Sequence, residues 1–376
     1  MAPGRATRPG ATLSRPMSDP TAPPRLRVDD FDYRLPTSAI AQVPAEPRDA
    51  SRLLVLDRAA STPGAPALRH RVFREIGEEL RPNDLLVVND SRVIPARLAA
   101  RRDTGGEAEI LALRPTEDGS GRWEGLVRPS RRVGIGDRLT LRSGDIVEVG
   151  ERLGKGTRSL RFFRDPLAVM AQAGEMPLPP YIRDRSSPAE RYQTVYARPL
   201  GSAAAPTAGL HFTSDLLDRL AIAGVERTSV TLHVGLDTFR PLEGDYIDEH
   251  RIHREWYEVP AAARRAIDGA RAGGGRVLAV GTTSVRVLET AARLRARRGW
   301  TDLYITPPYP FAAVDALVTN FHLPRSSLLL LVTAFVQAGM PGATAHAARD
   351  TLLAAYRAAL EAGYRFFSFG DAMLVL

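Results

Sequence analysis

Four of the seven histidines in this 376-residue chain fall between Ala203 and Tyr257, at His211, His233, His250 and His253. Imidazole titrates near neutrality, so a run of histidines beside turns and strand ends is a source of general acids and bases. His211 follows Pro206-Thr207-Ala208-Gly209-Leu210, where Gly209 has no Cβ to keep a ligand from the backbone. His233 ends an apolar run, and His253-x-Glu255-Trp256-Tyr257 places an imidazole, a carboxylate and two aromatic rings within five residues. A neighbouring imidazole and an aromatic wall would shift Glu255 toward neutrality. His211, His253 and Glu255 are the first candidates for proton transfer, followed by His233 and His322. The plain alternative for each histidine is a hydrogen-bonded core residue.

A second group of polar residues suits binding. Strand Val277–Val280 runs into Gly281-Thr282-Thr283-Ser284 and then Arg286. Backbone N–H groups at a helix start, with hydroxyls and a guanidinium added, can hold a carboxylate or a phosphate. The same residues also make an ordinary helix cap. Neither a Walker loop nor a dinucleotide fingerprint is present. Asn89 and Arg92 end an apolar strand, where open α/β sheets place ligands. Arg48 and Asp49 sit in a polar loop, and Tyr192 and Trp256 offer rings for stacking on a base.

Strands alternating with helices from about residue 28 imply an α/β main domain. Expected elements are strands at Leu53–Leu56, Leu85–Val88, Ser229–Val234, Val277–Val280, Ala316–Phe321 and Phe366–Leu376. Helices are expected at Phe73–Leu80, from Ser214 to Gly224, at Ala261–Ala272, after Ser326 and over Ala343–Ala362. Between Val93 and Phe163 the texture changes to short alternating stretches broken by glycine turns, which implies a small antiparallel barrel or sandwich. The fold class expected is therefore α/β, with a mixed-sheet main domain (28–92 and 164–376) and an inserted small antiparallel β-barrel domain (93–163). Residues 1–27, rich in Pro, Ala and Arg, read as a disordered basic tail, with Met17 an alternative start.

The chain has no cysteine, which excludes disulfides, thiolate zinc sites and cysteine nucleophiles. Its formal charge of +8 comes from fifty arginines and a single lysine, Lys155, against 43 acidic residues. About half of that charge lies in the tail. Arginine suits phosphate contact, so an RNA partner fits, and Arg128, Arg131 and Arg132 form a basic rim on the barrel. The longest apolar stretch, Leu328–Met340, is too short to cross a bilayer, so a cytoplasmic protein is expected.

Several longer strings are irregular enough to carry a family resemblance. FDYRLPTSAIAQVPAEPRDASRLLVLDR (31–58), NDSRVIPARL (89–98), APTAGLHFT (205–213), TLHVGLDTFRP (231–241), HRIHREWYEVP (250–260), GRVLAVGTTSVR (275–286) and DALVTNFHLP (315–324) closely resemble the S-adenosylmethionine:tRNA ribosyltransferase-isomerases of queuosine biosynthesis. The similarity runs in order from about residue 30 to the C-terminus. Two departures concern local loop shape: Asp237 stands where that family has a small residue, and residues 301–311 are unusually proline-rich.

The resemblance implies a transferase-isomerase acting on a tRNA whose wobble base carries an aminomethyl-deazaguanine. S-adenosylmethionine is then a co-substrate, no prosthetic group or metal is needed, and the partner is the anticodon region of tRNA. A monomer or weak dimer is expected. Thr207, Gly209, Thr282, Thr283, Ser284 and Arg286 become candidates for S-adenosylmethionine or RNA contact. The competing classes are a metal-dependent hydrolase built on the histidine cluster and a non-catalytic RNA-binding module. A methyltransferase is weaker, since no glycine-rich strand–turn–helix with a downstream acid stands out.

Overall fold

The computed structural model describes residues 25–116, 118–154, 156–235 and 242–376. Asp237, Lys155 and residues 1–24 of the expected tail lie outside the described residues. Arg25, Leu26 and Arg27, at the end of that tail, are tied down. Arg25 pairs with Asp248 and Glu249, Arg27 bridges to Tyr246, and Leu26 packs on the main core.

Among the described residues nine strands form one mixed sheet. Their order is Arg298–Thr301, Glu255–Glu258, Glu226–Leu232, Leu85–Asn89, Val277–Val280, Ala316–Asn320, Ala372–Val375, Arg52–Thr62 and Ala65–Val72. The four strands from Glu226–Leu232 to Ala316–Asn320 run parallel. Their apolar runs are buried on both faces, as parallel strands require. Leu85 and Val87 belong to one core and Leu86 and Val88 to the other, and Val277–Val280 divides the same way. Helices Ala261–Ala272, Ser327–Ala338 and Ala345–Glu361 contribute to the first core, and helix Ser214–Ile222 to the second. Ser326 caps the nearly all-apolar helix by accepting from Leu329 N at 3.3 Å.

The helix at Ala261–Ala272 and the strand at Val277–Val280 occupy the residues that the sequence predicts. Elsewhere the bounds shift. The strand expected at Ser229–Val234 is Glu226–Leu232, begun by polar residues. The helix expected at Phe73–Leu80 is a 3-10 helix over Phe73–Glu79. The closing strand shrinks to Ala372–Val375, because Asp371 accepts from Arg52 N and Arg365 N and holds a turn ahead of it. Strands Ala65–Val72, Glu255–Glu258 and Arg298–Thr301, with their polar or mixed composition, are not apparent from periodicity.

A second sheet closes on itself. Strands Arg97–Arg102, Glu107–Pro115, Trp123–Arg128, Thr157–Phe162, Ile146–Gly154 and Arg138–Leu141 pair antiparallel, and the last returns to the first. Alternate residues such as Leu98, Ile110, Leu139, Val147 and Leu160 fill the barrel. Val169 and Met170, on helix Pro166–Ala173, join that core, and Gly174–Glu175 pairs with Arg97–Leu98. The fold is thus α/β, a mixed sheet carrying a small antiparallel barrel. Among the described residues no helix is long and apolar enough to cross a membrane.

Candidate functional site

A cleft of about 570 Å³ opens between the barrel and the edge of the main sheet. From the sheet side it is lined by His233, His253, Glu255, Trp256 and Trp300, and from the barrel by Arg114 and Trp123. Trp256 and Trp300 stand opposite each other across an antiparallel pair, which puts both side chains on one face of the sheet. The His233 ring stacks on Trp256, 5.3 Å between centroids with an 18° interplanar angle. All three tryptophans of the chain line this one cleft. Arg114 bridges its two walls: Nε donates to Glu124 of the barrel at 2.9 Å and Nη1 to the Arg254 carbonyl at 3.0 Å.

Two glycines make room for the imidazoles. A Cβ on Gly201 would stand 2.6 Å from His233 Cε1, and one on Gly235 would stand 2.8 Å from His253 Nε2. Burial lowers the His233 pKa, so the ring is neutral at pH 7, and its Nδ1 is buried with no hydrogen-bond partner. His253 Nε2 lies 3.2 Å from Glu255 Oε1, which also accepts from Gly235 N at 2.8 Å. Arg286 Nη1 donates to Glu255 Oε2, and Arg286 Nε donates to the Leu303 carbonyl at 3.2 Å. Burial by itself would raise the Glu255 pKa. The Arg286 charge, the His253 interaction and the Gly235 N–H outweigh it and hold the carboxyl at about 2. The expected shift toward neutrality is therefore reversed, and Glu255 is an ionised anchor.

A smaller cavity of about 50 Å³ lies at the C-terminal ends of the parallel strands, where Thr207, Thr282, Thr283, Asn320, His322 and Phe367 converge. Val234 lines both this cavity and the cleft. Burial drives the His322 pKa down to about 3, and Thr319 Oγ1 lies 2.8 Å from its Nε2. Phe367, with φ of 74°, holds a left-handed backbone that bulky residues avoid, a type of strain that clusters at functional sites. Asn320 Nδ2 steadies it by donating to the Phe367 carbonyl at 3.2 Å.

His211 is not exposed in an open turn. It is buried, with Nδ1 2.8 Å from Ser51 Oγ and Nε2 3.1 Å from Asn320 Nδ2. The amide nitrogen can only donate, so Nε2 accepts and Nδ1 carries the proton. Burial, with the Arg365 and Arg48 charges added, lowers its pKa to about 3. His211 thus orients Asn320, which in turn accepts from Thr207 Oγ1 at 2.9 Å and holds Phe367. The missing Cβ of Gly209 makes room for the Tyr196 hydroxyl, 2.1 Å from where that atom would stand, and not for a ligand.

The other expected binding residues serve the framework. Asn89 is buried and prolongs the ladder, donating to the Leu232 carbonyl and accepting from Leu232 N, both at 3.0 Å. Arg48 donates to the Gln193 carbonyl at 2.8 Å and the Glu190 carbonyl at 3.1 Å. Asp49 accepts from Thr213 Oγ1, and Arg92 pairs with Glu190 at 2.9 Å. Tyr192 is buried edge-on against Phe369, so it offers no face for a base. Ser284 Oγ bonds back to the Val280 carbonyl at 2.8 Å. Among the described residues no three His, Asp or Glu side chains converge as metal ligands. Trp123, Trp300, Arg114, Asn320 and Phe367 escaped the sequence reading. Only the scarcity of tryptophan could have pointed to the first two.

The model of the family described as queuosine biosynthesis protein matches residues 28–375. The S-adenosylmethionine:tRNA ribosyltransferase-isomerase of Symbiobacterium thermophilum is 51% identical over 361 residues, covering 93% of this chain and 100% of that protein. The enzyme of the same name from Heliobacterium modesticaldum is 52% identical over 362 residues, with 93% and 100% covered. The crystal structure of the S-adenosylmethionine tRNA ribosyltransferase from Thermotoga maritima superposes with a TM-score of 0.52 at 41% identity, covering 92% of this chain and 100% of that one. On a match spanning nearly its whole length, the chain belongs to the queuosine biosynthesis protein family.

Proposed function

We propose that this chain is an S-adenosylmethionine:tRNA ribosyltransferase-isomerase. It moves the ribosyl carbons of S-adenosylmethionine onto the aminomethyl nitrogen of a deazaguanine wobble base, giving epoxyqueuosine and releasing adenine and methionine. The observation that carries this reading is the family match along residues 28–375, joined by relatives of that name matched over their full length. The partners are S-adenosylmethionine and the anticodon region of tRNA, which fits a cytoplasmic protein.

The cleft supports the chemistry. Its volume of about 570 Å³ falls within the ~300–1,000 Å³ usual for small-molecule sites. The faces of Trp256 and Trp300 suit both the adenine ring and the positive sulfonium. His233 is the base for the carbon beside the sulfonium: burial keeps its ring neutral, and the residue lines the cleft. His253, whose Nε2 lies 3.2 Å from ionised Glu255, is the group placed to assist departing adenine. Arg286 holds Glu255 in place. The barrel serves substrate binding, with Arg128, Arg131 and Arg132 directed to the tRNA backbone.

The test incubates the full chain with S-adenosylmethionine labelled in adenine and tRNA bearing the precursor base. Free adenine and methionine should appear together, and only with the aminomethylated tRNA. Absence of adenine release under these conditions would sink the reading.

A further inference from the structure

We infer that the small cavity at the C-terminal ends of the parallel strands is a carboxylate subsite that takes the amino-acid end of S-adenosylmethionine. The inference rests on the reading of the function above and deepens it. It begins at helix Thr282–Leu294, thirteen residues long, whose cap position is Gly281 at φ 89° with no capping side chain. The backbone conformation there is one that glycine adopts freely, and glycine has no oxygen with which to cap. The first-turn N–H groups of a helix have no acceptor within it, and their partial positive charge favours an anion. Thr282, Thr283 and Ser284, which carry those groups, are all buried.

A second feature points to the same spot. Thr283 is 8% exposed, lines the cavity, and its Oγ1 is buried with no hydrogen-bond partner. That oxygen lies 3.5 Å from where a Cβ on Gly281 would stand, so it faces back toward the open end of the helix. A buried hydroxyl without a partner is costly, and an entering anion satisfies it together with the N–H groups. The Ser284 hydroxyl takes no part, because it bonds to the Val280 carbonyl, and Arg286 Nη1 is held by Glu255.

Size and lining select the ligand. About 50 Å³ admits a group of a few heavy atoms and not a nucleoside. An RNA phosphodiester has chain on both sides and cannot enter so small a buried space, whereas a carboxylate ends a flexible chain. No Asp, Glu, Lys or Arg is among the residues lining the cavity, so no carboxylate there repels an anion. Ala205, Pro206, Val234 and Leu323 supply an apolar wall for the methylene stem. Val234 also borders the cleft, so the two spaces are neighbours.

The experiment measures binding of S-adenosylmethionine and of its decarboxylated analogue to the full-length chain and to Thr283→Val and Thr283→Ser. The wild type should prefer the carboxylated ligand by about tenfold or more, the effect of a hydrogen-bonded charge. Thr283→Val should lose about tenfold in affinity for S-adenosylmethionine and none for the analogue, while Thr283→Ser keeps the preference. Equal affinity of the wild type for both ligands overturns the inference. So does a Thr283→Val loss that is the same for both ligands, or one confined to tRNA, which would assign the site to an RNA phosphate. Adenine release by the wild type, followed in parallel, separates the two readings: lost discrimination with release intact overturns the subsite alone, and failure to bind S-adenosylmethionine overturns both.

Discussion

Arg286 Nη1 donates to Glu255 Oε2 inside the protein, where the two side chains are only 5% and 1% exposed. Removing one member of such a pair leaves the other charge buried without compensation, at a cost of about 3–5 kcal/mol. Glu255→Gln should therefore lower unfolding stability by that order. The pair also has a pH signature. The folded pKa of Glu255 is depressed to about 2, so its contribution is complete above the unfolded value of about 4.3 and is lost as pH falls toward 2. Urea denaturation of wild type and Glu255→Gln from pH 6 to pH 2.5 checks this. The difference between them should narrow across that window, and a constant difference would count against the ionised pair.

His211 and His322 act from a higher pH, with the same sign. Both are neutral when folded, with pKa values near 3, so the unfolded chain binds more protons below about 6.5. Their contribution is complete above that pH and falls by about 1.4 kcal/mol per pH unit for each residue below it. His211→Gln should reduce the slope of stability between pH 6.5 and 5 by about one proton's worth. An unchanged slope would mean that His211 titrates normally.

His233 offers a kinetic test. As the base it should contribute about 10²–10⁴-fold to the chemical step, read as single-turnover adenine release by His233→Gln. Tm and S-adenosylmethionine affinity should change far less, since the interaction removed belongs mainly to the transition state. His211→Ala should do the reverse, losing stability while the folded fraction still turns over. If His211→Ala is the slow variant and His233→Gln is normal, the two assignments must be exchanged.

Arg128, Arg131 and Arg132 are all exposed on the barrel. Their joint replacement by glutamine should weaken tRNA binding and flatten its salt dependence by about 0.7–0.9 in log–log slope for each phosphate that is no longer neutralised. S-adenosylmethionine affinity should not move. An unaltered salt slope would remove the barrel rim from the interface.

What the sequence discloses follows from how local each signal is. Helix Ala261–Ala272 lies between Pro260 and Gly273, and strand Val277–Val280 is a plain apolar run, so both are legible. The barrel is legible because its glycine turns recur at short intervals. The site is harder to read because its chemistry is decided by distant partners. Ser51 and Asn320, which turn His211 into a buried framework residue, are 160 and 109 positions away in sequence. Arg286, which keeps Glu255 ionised, is 31 positions away. Neighbours in the chain suggested an open histidine and a near-neutral carboxyl, and neither survives folding.

The convergence of Trp123, Trp256 and Trp300 on a single cleft has a practical side. These are the only indoles in the chain, so its tryptophan fluorescence originates entirely at the walls of that space. Quenching by a bound purine, or a change in the gap between barrel and sheet, would be seen without a label and without background from other tryptophans. The protein carries its own optical probe at the place where its substrates are expected to meet.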